Sequence, residues 1–285
     1  MKRSDKYNKI NLRVLSLGAG VQSSTLALMI EKGEVPMVDA AIFADTKGEP
    51  KVVYDWLNWL EKKLSYPVYR VTWRDLKQDI LDAAEGKYKA FTAPFFTKNI
   101  ETGKKGMLRR QCTADYKIKP VVQKVREILG LAKGEKRRKG TNVEMLMGIS
   151  IDEVGRMKTN RVKYIHNQYP LIDKKISRSD CKKWMTTQGY PTPPRSACTF
   201  CPFHNNQEWL LVKKNKAEWE EVIALDKAIR SQERFKVKNA SSASVVDELY
   251  LHRDCLPIDQ VDFEKDKNKE QLDLFNNECE GMCGI

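Results

Sequence analysis

Two thiols separated by two residues, Cys198-Thr199-Phe200-Cys201, are followed at once by Pro202. A Cys-x-x-Cys turn presents both sulfurs to one metal ion or cluster. Cys112 and Cys181 lie upstream as further candidate ligands. Far from them, Gly18-Ala19-Gly20-Val21-Gln22-Ser23-Ser24 follows the apolar run Leu12–Leu17 and precedes a helical pattern over residues 25–30. Strand, tight turn and helix in that order aim turn amides and a helix N-terminus at one point, where an anion such as phosphate is held. A thiolate centre and a phosphate-type loop in one chain point to an enzyme in which activation and sulfur or redox chemistry share a site.

The elements around these residues alternate. A second strand reads Ala40–Ala44 and ends at Asp45-Thr46, residues 50–64 carry apolar side chains at helical spacing, and residues 67–71 read as a third strand. Helical spacing returns at 73–84 and 120–129, and residues 143–149 form a further strand that runs into the charged turn Asp152-Glu153-Val154-Gly155-Arg156. This order predicts an α/β, Rossmann-like parallel sheet with helices on both faces, and the charged turn falls at its functional edge. Residues 90–111 read as a loop that could lie over the site as a lid. The pattern changes near residue 166, which predicts a nucleotide-binding domain over 1–165 and a smaller cysteine-bearing C-terminal region over 166–285. Within the latter, residues 178–188 and a stretch from Gln207 read as helices, residues 231–246 as a polar surface loop, and 262–271 as a charged connector.

With 285 residues and 41% hydrophobic content, the chain can bury a full core. Seven cysteines are too few for a disulfide framework, the first nine residues are polar, and no apolar run approaches the roughly 20 residues of a membrane span. These features predict a cytoplasmic protein with reduced thiols and no membrane partner. The balance of 51 basic against 38 acidic residues, +13, suits a polyanionic partner such as tRNA or DNA, although a solvated basic surface accounts for the same charge. The basic residues cluster at Lys104, Lys105, Arg109 and Arg110, at 133–139, and at Lys158, Arg161 and Lys163.

The turn at Gly18–Ser24 lacks the lysine of a Walker loop. It resembles the SGGxDS pyrophosphate loop of the PP-loop ATP pyrophosphatase superfamily, with Ala19-Gly20 for the glycine pair and Ser23 for the last serine. It departs at Gly18, where the pattern has Ser, and at Gln22, where it has Asp. Four more segments follow in the order found in phosphoadenosine phosphosulfate reductases and their relatives. Phe43-Ala44-Asp45-Thr46 with Glu49-Pro50 is similar to FxDTG…PE, and Cys112 through Lys117 to Pro120 is similar to CCxxRKVxP. Gly148-Ile149-Ser150-Ile151-Asp152-Glu153 with Arg156 is similar to GIRxxES…R, and Tyr169-Pro170-Leu171-Ile172 leading to Cys198 and Cys201 is similar to PL(I/L)…GCxxC.

That resemblance implies an adenine nucleotide alpha hydrolase-like fold binding ATP with Mg²⁺. Ser16, Gly18, Ala19, Gly20, Gln22, Ser23 and Ser24 would line the phosphates, with Asp45, Thr46 and Gly148 completing the nucleotide site. Lys117, Asp152, Glu153 and Arg156 would flank the reacting phosphates; Gln22 cannot supply the charge of the loop Asp. It also implies a [4Fe–4S] cluster. Thr113 stands where the tandem cysteine would be, so Cys112, Cys198 and Cys201 remain as ligands. The fourth position would be filled by Cys181 or left to an external ligand such as sulfide; Zn²⁺ on the same thiolates is the rival. His204 is a candidate donor beside this centre. In the tail, Cys279 and Cys283 faintly resemble the mobile ECGxH terminus whose cysteine is the nucleophile in the reductases.

The function expected is ATP-dependent adenylylation of an acceptor, a nucleic acid by charge, with pyrophosphate release and sulfur transfer that draws on a sulfur donor or reductant protein. Two alternatives stand beside it: a sulfonucleotide reductase working through a C-terminal cysteine, and a nucleotide-binding protein without catalysis.

Overall fold

The computed structural model describes residues 10–87, 91–231 and 247–265. In chain order the elements are β1 (Leu12–Leu17), α1 (Val21–Glu31), β2 (Ala40–Ala44), α2 (Lys51–Glu61), β3 (Val68–Val71), α3 (Leu76–Ala84), β4 (Phe96–Asn99) and β5 (Lys105–Met107). A π-helix (Thr113–Ile118) then runs directly into α4 (Lys119–Ile128). There follow β6 (Val143–Met147), a 3₁₀ turn (Ile151–Arg156), β7 (Ile165–Gln168), α5 (Pro170–Asp173), α6 (Arg178–Thr187), α7 (Asn206–Lys214), α8 (Lys216–Ile229) and β8 (Asp247–Tyr250).

Five strands form a parallel sheet in the order β3-β2-β1-β6-β7. The central strands are largely apolar because both their faces are covered, β2 without interruption and β1 and β6 broken only by Arg13, Ser16 and Glu144. Leu15, Leu17, Ala41 and Phe43 face α1, α2 and α6, whereas Val14, Ile42, Met145 and Met147 face Val121 and Val125 of α4. The α/β sheet with helices on both faces is therefore present as expected. Helix α1 is buried on every side from Val21 to Ile30, so its polar residues must find partners inside the protein. Strand β7 did not stand out in the sequence, because Ile165-His166-Asn167-Gln168 is an edge strand paired only with β6 and needs no apolar alternation.

A second core lies beside the sheet. Leu76 and Ile80 of α3, Phe95 and Tyr116 pack with Trp209 of α7, Leu225 and Ile229 of α8, and Leu249. Residues 90–111, expected as a loop, instead contain the β4–β5 hairpin, and β4 also pairs antiparallel with β8. The second core thus draws on both sides of residue 165. Asp226, almost fully buried, holds it together. Its carboxylate accepts the backbone N–H groups of Leu251 at 3.3 Å and Ile258 at 3.1 Å and pairs with Arg230 at 3.1 Å. No helix among the described residues is long and apolar enough to cross a membrane.

Candidate functional site

Strands β1 and β6 are neighbours whose onward connections leave to opposite sides, the switch point beyond whose C-terminal ends open α/β sheets place their ligand crevice. The loop after β1 forms one wall. Ala19 sits there at φ +59°, a left-handed conformation that costs a non-glycine residue about 1–2 kcal/mol. Helix α1 begins at Gly20, which offers no capping side chain, and its first turn carries no acid. No side chain of the helix's own start caps its terminal amides.

The loop after β6 forms the other wall. A Cβ at Gly148 would lie 2.6 Å from Ser23 Cα and 2.7 Å from Ser23 N, so only glycine lets the two loops meet. Ser23 Oγ accepts from Gly18 N at 3.2 Å and donates to Gly20 O at 3.4 Å, bracing the turn. Ser16, at the end of β1, is buried and its hydroxyl has no hydrogen-bond partner among the described residues.

Gln22 is a junction between these walls. Its Nε2 donates to Glu153 Oε2 at 3.1 Å and to Ser150 Oγ at 3.3 Å, and its Oε1 accepts from Arg178 at 3.0 Å. Glu153 also pairs with Arg156 at 2.5 Å. Asp152 accepts Ser150 Oγ at 2.5 Å and the backbone N–H of Arg178 at 3.1 Å, which fastens the 3₁₀ turn to α6. Ser24 stands apart from the expected phosphate contacts: it is fully buried and its hydroxyl accepts from Trp56 Nε1 at 2.9 Å, bracing α1 against α2.

At the end of β2, both oxygens of Asp45 are engaged within its own turn. They accept from Lys47 N and Tyr54 Oη at 2.8 Å and from Lys47 Nζ at 2.8 Å. Burial, and then the bond to Asp45, push the Tyr54 hydroxyl well above the usual tyrosine range. Thr46 turns instead toward the thiols, with its Oγ1 3.2 Å from Cys198 Sγ. Two residues on, Gly48 O accepts from Thr199 N at 2.8 Å, and a Cβ on Gly48 would meet the Phe200 ring at 2.8 Å and Cys198 Sγ at 3.2 Å. The Cys-x-x-Cys turn is therefore docked on the loop that follows β2. Glu49, with its side chain fully buried, accepts from Ser196 Oγ at 3.1 Å and Lys117 Nζ at 3.5 Å. This bridge between the two halves of the chain was not legible as a site feature in the sequence.

Cys112, Cys198 and Cys201 line one small cavity of about 30 Å³ together with Thr46 and Lys117. Cys112 immediately precedes the π-helix, a wide turn that recurs at functional sites and here carries Tyr116 and Lys117. Burial, and then the neighbouring Glu49, push the Cys198 thiol well up. His204 Nε2 lies 2.9 Å from Cys198 O; burial, and then Arg195, lower its pKa to about 3, so it supports the turn as a neutral donor. Arg195 in turn pairs with Glu208.

Cys181 is not part of this group. It is fully buried in the core between α6 and α1, where burial pushes its thiol up to about 12. Its electrostatic neighbours, Thr25, Asp152, Arg178 and Asp180, are not those of Cys198. The structure does not bring it to the cavity that Cys112, Cys198 and Cys201 line. Cys279 and Cys283 lie outside the described residues. Among the described residues, no three His, Cys, Asp or Glu side chains converge closely enough to hold a single metal ion.

A larger cleft of about 620 Å³ opens on the far side of Arg110 and Thr113, which line both cavities. Arg109, Arg110, Arg156, Lys158 and Arg161 reach it, with Asp115 as the one carboxylate lining it. Two basic clusters separated in the sequence by some fifty residues thus face one another.

No protein-family model matches the chain, and no curated protein matches it. Among solved structures, it is similar to the phosphoadenylyl-sulfate (PAPS) reductase from Candida auris in a phosphate complex. The identity is 14%, covering 65% of this chain and 76% of that one, with a TM-score of 0.42.

Proposed function

We propose that this chain is a PP-loop enzyme of the phosphoadenosine phosphosulfate reductase-like kind that binds ATP at the β1/β6 crevice, adenylylates a nucleic-acid acceptor and transfers sulfur to it. The observation that carries the reading is the docking of the Cys198 turn on the Thr46–Gly48 loop, which makes a thiol-lined cavity the neighbour of a phosphate-type crevice.

In the first step an acceptor oxygen attacks the α-phosphorus of ATP, the bond to the bridging oxygen breaks and pyrophosphate leaves. The amides at the start of α1 and of the Gly18–Gly20 turn would hold the developing charge on that leaving group. Arg156, steered by Glu153, would serve the same purpose. In the second step sulfur attacks the activated atom and AMP departs with the oxygen; adenylylation has turned a poor leaving group into a good one. Lys117, fixed by Glu49 beside the thiols, would balance the negative charge of incoming sulfur.

The three thiols suit an iron–sulfur cluster or a zinc ion, and the resemblance of the cysteine pattern favours the cluster. Zinc gathers its ligands around one point, whereas a cluster takes each thiolate at a separate iron several ångströms from the next. Cys112, Cys198 and Cys201 share one cavity wall, which supports a common occupant. Cys112, Cys198 and Cys201 would hold it, no fourth cysteine among the described residues lining their cavity, and a cluster so bound would supply the sulfur or redox chemistry.

Anaerobically purified protein, given labelled ATP, sulfide and short tRNA or DNA acceptors, is expected to release pyrophosphate and to incorporate sulfur into the nucleic acid. Release of sulfite from a sulfonucleotide without ATP cleavage would instead establish a reductase. Nucleotide binding with neither product would establish a protein without catalysis.

A further inference from the structure

We infer that the cleft between Arg109–Arg110 and Lys158–Arg161 is the track for the sugar–phosphate backbone of a single-stranded nucleic-acid substrate. The inference rests on the proposed function for the identity of the acceptor but on separate residues for its binding.

Arg109, Arg110, Lys158 and Arg161 against Asp115, with Arg156 paired to Glu153, make the cleft a focus of positive potential in a chain already at +13. The nucleotide's own phosphates are provided for by the α1 N-terminus, so this charge serves another anion. Its position fits a strand delivered to the thiols, because Arg110 and Thr113 line both this cleft and the cysteine cavity. Arg109, Lys158 and Arg161 are exposed at its rim, so the charged track continues onto the surface. Val154, 52% exposed, and Met157, 42% exposed, stand in sequence beside Arg156 and Lys158 as exposed apolar surface.

The cations are also held on built loops. Tyr169 Oη accepts from Lys158 N at 2.9 Å and donates to Lys158 O at 2.8 Å, and buried Asn160 bonds Asn167 at 3.1 Å and caps Val162 N at 2.9 Å. On the opposite wall Gln111 N and Cys112 N both donate to Thr92 O, at 3.0 and 2.9 Å, and Arg110 lies over the Phe203 ring at 5.3 Å. The more strongly basic run at 133–139 is exposed throughout and lines neither cavity.

The test is fluorescence anisotropy with labelled single-stranded DNA and RNA oligonucleotides across a salt series. Each lost phosphate contact on a single strand reduces the slope of log affinity against log salt by about 0.7. The triple variant Arg109→Gln, Lys158→Gln, Arg161→Gln is expected to reduce that slope by about 2 and to weaken binding at least tenfold at low salt. Its ATP affinity and melting temperature should match the wild type. An unchanged slope overturns the inference, as does a parallel loss of ATP affinity, which would make the cleft a nucleotide phosphate site. It is also overturned if substituting Lys136, Arg137, Arg138 and Lys139 by Gln abolishes strand binding while the cleft variant binds normally. Strand binding that depends on the cleft in a protein that never cleaves ATP would uphold the track and refute the proposed function instead.

Discussion

Thr46 Oγ1 lies 3.2 Å from Cys198 Sγ, across 152 residues of intervening chain. This contact ties the carboxyl end of a central strand to the Cys-x-x-Cys turn, so that any ligand of the sheet edge and any ligand of the thiols share a wall. The neighbouring backbone bond from Thr199 N to Gly48 O fixes the same relation without depending on side-chain rotamers.

Gly48→Ala tests that docking. The added methyl would meet the buried Phe200 ring at 2.8 Å and Cys198 Sγ at 3.2 Å, and overpacking of this kind costs about 1–3 kcal/mol. A lowered melting temperature and a loss of bound iron and sulfide after anaerobic purification are expected, with ATP affinity largely kept. Full metal content in this variant would show that the turn is not seated as described.

Gly148→Ala should act on the other function. Its methyl would strike Ser23 backbone, which cannot swing aside as a ring edge can. ATP affinity measured by calorimetry is expected to fall at least tenfold, while the thiol cavity keeps its metal. Unaltered nucleotide binding would remove the β1/β6 crevice as the nucleotide site.

Gln22 is expected to be the right residue for this chain despite its departure from the superfamily pattern. Gln22→Asp would set a second carboxylate against Glu153, and losing a hydrogen bond to a buried charge costs about 1–3 kcal/mol. Thermal melts should show the single variant destabilised and the double variant Gln22→Asp, Glu153→Gln substantially recovered. A single variant as stable as wild type, with no gain from the second change, would contradict the junction assigned to Gln22.

Cys181 gives a prediction with a defined sign. Its folded thiol titrates near 12 because of burial, against about 8.5 for a free cysteine. Below the unfolded value both states hold the proton and stability is unaffected. As pH rises from about 9 toward 12 the unfolded chain releases it first, so stability is lost by up to about 1.4 kcal/mol per pH unit. Cys181→Ala should show a shallower alkaline decline in urea unfolding and unchanged metal content. Loss of metal would restore Cys181 as a ligand.

The sheet and the crevice were legible because their signals are local. Leu12–Leu17 followed by Gly18-Ala19-Gly20 is a strand, turn and helix start within a few residues, and the strand ends at Asp45 and at Gly148 read the same way. The rest depended on contacts between distant segments. Phe96-Thr97-Lys98-Asn99 resembles a loop until β8, about 150 residues later, pairs with it. Nothing in the spacing of Cys181 reveals that α6 packs its cysteine against α1 and away from the turn that begins seventeen residues on. Glu49 could be read as part of a motif, but its role as a buried tie between Ser196 and Lys117 required the fold.

The central claim is that nucleotide and thiolate centre are immediate neighbours, and spin coupling measures this directly. With the centre made paramagnetic, as reduced cluster or as Co²⁺ exchanged onto the thiolates, ³¹P electron–nuclear double resonance should detect the phosphates of bound ATP. Coupling that disappears in Cys198→Ala is the predicted result. A bound nucleotide whose phosphorus shows no coupling to an intact paramagnetic centre would contradict the account.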